Sequence, residues 1–281
     1  MCRWLAYNGP PIFLDTVLFK PENSLIRQSL HAMQSRSVTN GDGFGVGWYG
    51  GRPDPGLYRD TMPAWNDENL RSLSEQIRAG TFFAHVRATT GTSTARSNCH
   101  PFRFGRWLFM HNGQIGEFEK LRRDLAFAVH PELFRHIRGS TDSEVFFYLL
   151  VGAGLGGDPL GALASAVDIV ERVRSANSVS EPFLLTAAFG DGETIYAVRY
   201  ASEGLAPTLY YACGVPLSKI ADNAAEPLAR AIVILSEPLD PDMDGWVEVP
   251  SGRVVIAGDG AVSIASFRME SHRAEAQAKA G

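Results

Sequence analysis

If the initiator methionine is removed, Cys2 becomes the first residue, and its thiol then shares a Cα with a free α-amine. An α-amine titrates at about 7.7–8.0 and a free thiol near about 8.5, so around neutral pH one residue supplies both base and nucleophile. The other reading is an ordinary cysteine at the second position. Arg87 ends the alternating run Thr81-Phe82-Phe83-Ala84-His85-Val86-Arg87, which points Phe82, Ala84 and Val86 one way and His85 and Arg87 the other. A guanidinium at the end of an apolar strand needs an anion, either in a structural ion pair or as a carboxylate gripped by two hydrogen bonds. Asn112-Gly113 ends the apolar run from Arg106. This pair is either a hairpin turn or two donors, the Asn112 amide and the Gly113 N–H, converging on an oxyanion. Thr141-x-x-Glu144 has the spacing of a capping box, which leaves the Asp142 carboxylate free for an ammonium.

Those side chains have to be brought together by the elements that carry them. Strand patterns run over Cys2–Tyr7, Phe44–Tyr49, Thr81–Arg87, Arg106–His111, Phe183–Phe189, Thr194–Tyr200, Thr208–Cys213, Ala231–Ser236 and Val254–Ile264, the last interrupted by the turn Gly258-Asp259-Gly260. Helix patterns run over Asn23–Met33, Asp67–Ala79, Phe118–Ala128, Ser143–Val151 and Leu160–Ser175. Strands come in hairpin-like groups with helices between the groups, which predicts an α+β fold with antiparallel sheets. The glycine-rich stretch from Gly152 to Gly157 lacks the Lys-Ser/Thr of a phosphate loop and follows a helix pattern, so it is expected to be an inter-helix loop. Four glycines in the segment Asn40-Gly41-Asp42-Gly43-Phe44-Gly45-Val46-Gly47 point to a crowded place where backbone is approached closely.

Composition narrows the function class. The chain has 281 residues, 45% hydrophobic and 20% charged, which excludes a disordered, collagen-like or coiled-coil chain. It is expected to form one domain over residues 1–267, with a flexible tail over 268–281. The formal charge of −5 gives little electrostatic support to nucleic-acid binding, and no apolar run approaches the ~18 residues of a membrane span. Cys2, Cys99 and Cys213 cannot all pair, no CxxC is present and Pro10-Pro11 interrupts any signal-like apolar stretch. These features predict a reducing compartment, the cytoplasm. No His/Cys spacing matches a common structural zinc site, so no metal and no cofactor are expected.

Taken in order, six motifs resemble one family. They are Cys2, Asn40-Gly41-Asp42-Gly43-Phe44-Gly45, His85-Val86-Arg87-Ala88-Thr89-Thr90, Asn98-x-His100-Pro101-Phe102, His111-Asn112-Gly113 and Thr141-Asp142-Ser143-Glu144. This order is similar to that of the class II glutamine amidotransferases, which are N-terminal nucleophile hydrolases. Met62-Pro63-Ala64-Trp65-Asn66 and the Asn-Gly-Asp-Gly-Phe-Gly loop look most like the amidotransferase-type subunit of the glutathione-degradation complex, with the ergothioneine-pathway γ-glutamyl hydrolase next. The resemblance implies a four-layer αββα sandwich of two packed, mainly antiparallel sheets. It implies Cys2 as nucleophile, Asn112 and Gly113 as oxyanion hole, Arg87 on the substrate α-carboxylate and Asp142 on its α-ammonium. Thr90, His85 and Trp65 are then expected to line the pocket. The implied reaction is hydrolysis of a γ-glutamyl amide through a γ-glutamyl thioester. The alternatives are a non-catalytic subunit or an ammonia-supplying one, and a metallopeptidase-like subunit is the partner implied. The biosynthetic members have Arg-Gly where this chain has Asn40-Gly41, and many have Tyr where it has Ala88. These departures weaken the ammonia-transfer alternative. No ammonia-accepting domain is expected within this length.

Overall fold

The computed structural model describes residues 2–34, 39–89, 91–214, 230–241 and 243–267. The chain opens with β1 (Arg3–Phe13), followed by the short helices α1 (Asp15–Leu18) and α2 (Leu25–Leu30). Then come β2 (Phe44–Tyr49), β3 (Gly56–Asp60), α3 (Glu68–Gln76), β4 (Arg78–Val86), β5 (Phe102–Phe104) and β6 (Trp107–Ile115). A helical stretch follows: α4 (Phe118–Ala128), α5 (Pro131–Phe134), α6 (Asp142–Gly152) and α7 (Pro159–Ala176). The described chain closes with β7 (Phe183–Gly190), β8 (Ile195–Ala201), β9 (Tyr210–Cys213), β10 (Ile232–Leu235), β11 (Val247–Glu248), β12 (Arg253–Gly258) and β13 (Ala261–Ser266).

The strands form two sheets, in the orders β11-β9-β10-β1-β4-β2-β3 and β13-β12-β8-β7-β6-β5. Every pairing described is antiparallel. Alternation along the strands produces the layers. In β1, Trp4 and Ala6 enter the core between the sheets, with Leu108, Met110, Ala188 and Ile234. Leu5 and Tyr7 face the other way, into a second core with Val17, Leu18, Leu25 and Leu70 from α1, α2 and α3. A third core joins the outer face of the second sheet to α4, α6 and α7 through Leu121, Phe146, Phe147 and Leu163. The result is the α+β, four-layer αββα sandwich expected from the sequence. No helix among the described residues is long and apolar enough to cross a membrane.

The structure departs from the sequence reading in several elements. β1 does not stop at Tyr7 but reaches Phe13, because a register shift between Asn8 and Ile12 takes Pro10 and Pro11 out of the ladder. β6 runs through Asn112-Gly113 to Ile115, with Asn112 opposite Thr186 and Gly113 opposite Leu185, so the pair is not a hairpin turn. Residues Arg78 and Ala79, expected at the end of a helix, begin β4. The short strands β3, β5 and β11 and the one-turn helices α1 and α5 carry no periodicity long enough to see in sequence. The hairpin of β12 and β13 is as expected: Asp259 (φ 51°) and Gly260 (φ 71°) make a two-residue turn with both central residues left-handed. Gly152–Gly157 joins α6 to α7. The tail from 268 onward lies outside the described residues.

Candidate active site

Cys2 sits just before β1, at the open end of the space between the sheets. Its Sγ lies 3.6 Å from the Ala88 carbonyl oxygen, and its own carbonyl accepts from Arg3 Nη1 at 3.0 Å. β4 is the neighbour of β1 and pairs Arg3 with Val86, which puts Arg87 beside the nucleophile candidate. On the facing sheet, Trp4 Nε1 donates to the Thr186 carbonyl at 3.1 Å and ties β1 to β7 next to Asn112.

Cys2, Arg87, Gly113 and Asp142 line one cavity of about 340 Å³, together with Ala88, Thr89, Thr92, His100, His111, Gln114, Thr141, Ser143 and Leu184. That size is at the low end for a small-molecule site. The buried Arg87 guanidinium bonds only neutral groups: the Asp42 carbonyl (3.2 Å), Thr92 Oγ1 (2.6 Å), Thr89 Oγ1 (3.3 Å) and the Ser93 carbonyl (3.3 Å). Among the described residues no carboxylate lies within ion-pair distance of it, and no cation within that distance of Asp142. Asp142 is the first residue of α6, where the helix dipole favours a negative charge. Its Oδ2 accepts from the Ile115 N–H at 2.8 Å and its Oδ1 from the Ser143 N–H at 2.7 Å. Asn98 links the two charged corners. Its amide nitrogen donates to the Ser93 carbonyl and its oxygen accepts from the Ser140 N–H, at 2.9 and 2.8 Å. One cation and one anion, each lacking an opposite charge, thus flank a thiol.

A family model described as "Glutamine amidotransferases class-II" matches residues 22–280. The chain belongs to the class II glutamine amidotransferases. It is 34% identical to "Probable glutamine amidotransferase DUG3" of Saccharomyces cerevisiae, over 91% of this chain and 81% of that one. It is 26% identical to the gamma-glutamyl-hercynylcysteine sulfoxide hydrolase of Mycolicibacterium smegmatis, over 94% and 99%. Among solved structures, a glutamine aminotransferase class-II domain protein from Silicibacter pomeroyi superposes with a TM-score of 0.70 at 37% identity, covering 95% of this chain and 99% of that one. The protein is an enzyme of this class.

In this amidotransferase several of the buried polar atoms that lack a hydrogen-bond partner among the described residues belong to the cavity wall, at His100, or to residues next to it in sequence, Arg3 and Asn112. Of eleven such side-chain atoms among the described residues, eight belong to Arg3, Asn40, His85, His100 and Asn112. Each unpartnered buried group costs about 1–3 kcal/mol, so those at and beside the cavity point to a role other than stability. Burial holds the imidazoles neutral: His85 is pulled down to about 3, His100 well below its ordinary value, and His111 also down. Burial pushes the Cys2 thiol up. Burial disfavours the imidazolium that a histidine would become on taking the thiol proton, and the Cys2 Sγ hydrogen bond goes to the Ala88 carbonyl rather than to a ring nitrogen, so histidine is a poor candidate for the base of this thiol.

Sequence reasoning and the structure agree unevenly on the lining. Asn112 adjoins the cavity in sequence but does not line it; its amide is fully buried with neither atom bonded. His85 and Trp65, expected as pocket lining, are not in the wall. His85 stacks on His100 at 4.2 Å and spends Nε2 on the His111 carbonyl at 3.2 Å. Trp65 packs on the helix side of the first sheet and fills the space a Cβ on Gly41 would occupy. Thr90 lies outside the described residues. His100, His111 and Ser143 were visible only as motif members, while Thr92 carries no signal beyond proximity to Arg87. The Thr141 side chain accepts from the Glu144 N–H (3.2 Å) as a capping box requires. Glu144 however turns to the Arg138 and Gly139 N–H groups (3.0 and 2.6 Å), so the box is only half formed. A larger recess of about 1000 Å³ lies around Asn8, Gly192 and Gly258. It is roughly 20 Å along β1 from Cys2 at 3.3 Å per residue, too far to serve the same chemistry.

Proposed function

We propose that the protein hydrolyses a γ-glutamyl amide with Cys2 as an N-terminal nucleophile. The observation that carries the reading is the single cavity in which a thiol lies between Arg87, without a carboxylate, and Asp142, without a cation. The head of a γ-glutamyl group is a zwitterion, and it supplies both missing charges. Arg87 takes its α-carboxylate and Asp142 its α-ammonium.

With Met1 removed, the Cys2 α-amine takes the thiol proton as Sγ attacks the δ-carbonyl carbon. The oxyanion is met by the Asn112 Nδ2–H and the Gly113 N–H. The C–N bond then breaks, and the leaving amine takes the proton from the α-ammonium. Water, deprotonated by the same amine, attacks the thioester, and glutamate leaves as the thiol is restored. Histidines whose protonated form is disfavoured by burial are weak bases, which fits a mechanism in which the α-amine takes the proton. The relatives support the substrate class. One is named as a glutamine amidotransferase and the other as the hydrolase of a γ-glutamyl conjugate. Glutathione, glutamine and γ-glutamyl peptides are the compounds to screen, and a metallopeptidase-like subunit is the partner to seek in the glutathione-degradation reading. Three unpaired cysteines fit a reducing compartment such as the cytoplasm.

The test is glutamate release from such a panel by the wild type and by Cys2→Ala. The wild type turns over at least one γ-glutamyl amide, and Cys2→Ala turns over none. Residual turnover in the variant at the wild-type rate contradicts the nucleophile assignment.

A further inference from the structure

Arg3 and Glu237 form an ion pair with no solvent exposure on either side chain, Nε to Oε2 at 3.0 Å. Burying two charges costs several kcal/mol per ion, and apolar replacements of similar volume are often as stable or more so. Stability alone therefore gives little reason for a charge pair here, and its surroundings suggest another. Arg3 shares the helix-side face of β1 with Leu5 and Tyr7, yet its Nη1 turns back to the Cys2 carbonyl at 3.0 Å. Glu237 follows β10 and is itself fixed, because its Oε1 accepts from the Met33 N–H at 2.7 Å just beyond α2. The pair so joins three segments and ends on residue 2.

We infer that Arg3, held by Glu237, is a positioning residue that fixes the orientation of Cys2 for attack. Cys2 stands outside the β1 ladder, whose first pair is Arg3 with Val86. Holding its carbonyl fixes the plane of the peptide between residues 2 and 3 and the Cα in that plane, the pivot about which the α-nitrogen and Sγ turn. An internal residue is also held by the peptide before it; an N-terminal nucleophile is not. The Arg3 fork holds such a residue from its other side, through the carbonyl. Arginine does so while keeping Glu237 because Nε and Nη1 are separate donors held in one plane and aimed at different partners, whereas a lysine offers all its donors from a single nitrogen on a flexible stem. The inference rests on the reading of Cys2 as nucleophile.

Two variants test it: Arg3→Met combined with Glu237→Gln, which leaves no unpaired buried charge, and Arg3→Lys. Each is measured for thermal unfolding, for kcat and KM on the best γ-glutamyl substrate, and for the rate at which a glutamine analogue with an electrophilic δ-carbon labels Cys2. The expected result is a folded protein whose kcat and labelling rate both fall about 10–100-fold while KM stays within about three-fold, the signature of a misplaced reacting group. Folded variants with kcat and labelling rate within about two-fold of wild type overturn the inference. Where the double variant does not fold, Arg3→Lys decides on the same criteria. Loss of the fold in both makes the pair a stability element and likewise overturns it. Cys2→Ala keeps the two ideas separate. If it is inactive while the Arg3 variants are fully active, only the positioning role fails; if it turns over substrate normally, the nucleophile reading itself fails.

Discussion

At the residue scale the site is a set of groups that are costly to leave as they are. Arg87 without a carboxylate, Asp142 without a cation and the bare Asn112 amide would each be stabilised by a γ-glutamyl group in a different stage of reaction. Asn112 gives the clearest prediction. Its amide makes no hydrogen bond, so Asn112→Ala removes an unpartnered polar group and leaves folding stability unchanged or raised. Losing one oxyanion donor costs about 10²–10³ in kcat. Steady-state kinetics beside a denaturation curve checks both halves, and an unaltered kcat removes Asn112 from the mechanism. That Arg87, Gly113 and Asp142 share a cavity with Cys2 was anticipated through the order of the motifs and the resemblance it carries, since taken singly each residue had an ordinary reading as ion pair, turn or helix cap. His100 was not anticipated there, because a buried histidine between Cys99 and a proline reads equally well as core packing.

At the scale of elements, the strands and helices do more than carry these groups. Gly113 has φ 152°, and a Cβ there would collide with the Leu184 carbonyl and His111 Nε2, so this strand position needs glycine for steric reasons alone. That requirement explains why Asn-Gly misleads as a turn signal: the local preference is real, but eight ladder pairs with β7 override it. At α6, Thr141 caps the helix and Asp142 follows directly, which couples helix stability to the site proposed for the substrate ammonium. Thr141→Ala is expected to cost about 1 kcal/mol of stability. It should also raise KM for the γ-glutamyl substrate, because the first turn that aims Asp142 loses its anchor. Urea denaturation and KM measured on the same variant decide the point; a stability loss with KM unchanged separates Asp142 from the substrate. The half-formed capping box was beyond sequence reasoning, since Glu144 found its partners in the 138–139 loop rather than at the helix start.

At the scale of the whole molecule, grouped strands and intervening helices made the α+β class and the antiparallel sheets legible, and the resemblance implied the four layers, but the registers that set the two sheets against each other were not legible. Those registers place three imidazoles in the interior behind Cys2. Unfolded, each titrates near about 6.5. Folded, His85 titrates at about 3, and His100 and His111 are also held down by burial. The unfolded chain therefore binds more protons below pH 6.5 or so, and the stability these groups contribute is complete above that pH and is lost as pH falls toward the folded values. Each imbalanced proton adds about 1.4 kcal/mol per pH unit to the slope. Glu144, pushed up by burial, acts in the opposite sense closer to its own range. Urea denaturation at pH 7.5, 6 and 5 should show stability dropping with acid, with a shallower slope in His100→Phe; equal slopes would falsify the assignment of His100 as a buried neutral group.

The central claim is that the mature chain attacks a γ-glutamyl carbonyl with its N-terminal thiol. Intact-mass and peptide mass spectrometry, after reaction with a glutamine analogue carrying an electrophile at the δ-carbon, tests it most directly. The account predicts a chain that lacks Met1 and carries one adduct, on Cys2, with loss of turnover in proportion to labelling. An adduct on Cys99 or Cys213 instead, or full activity in a chain that retains Met1, contradicts it.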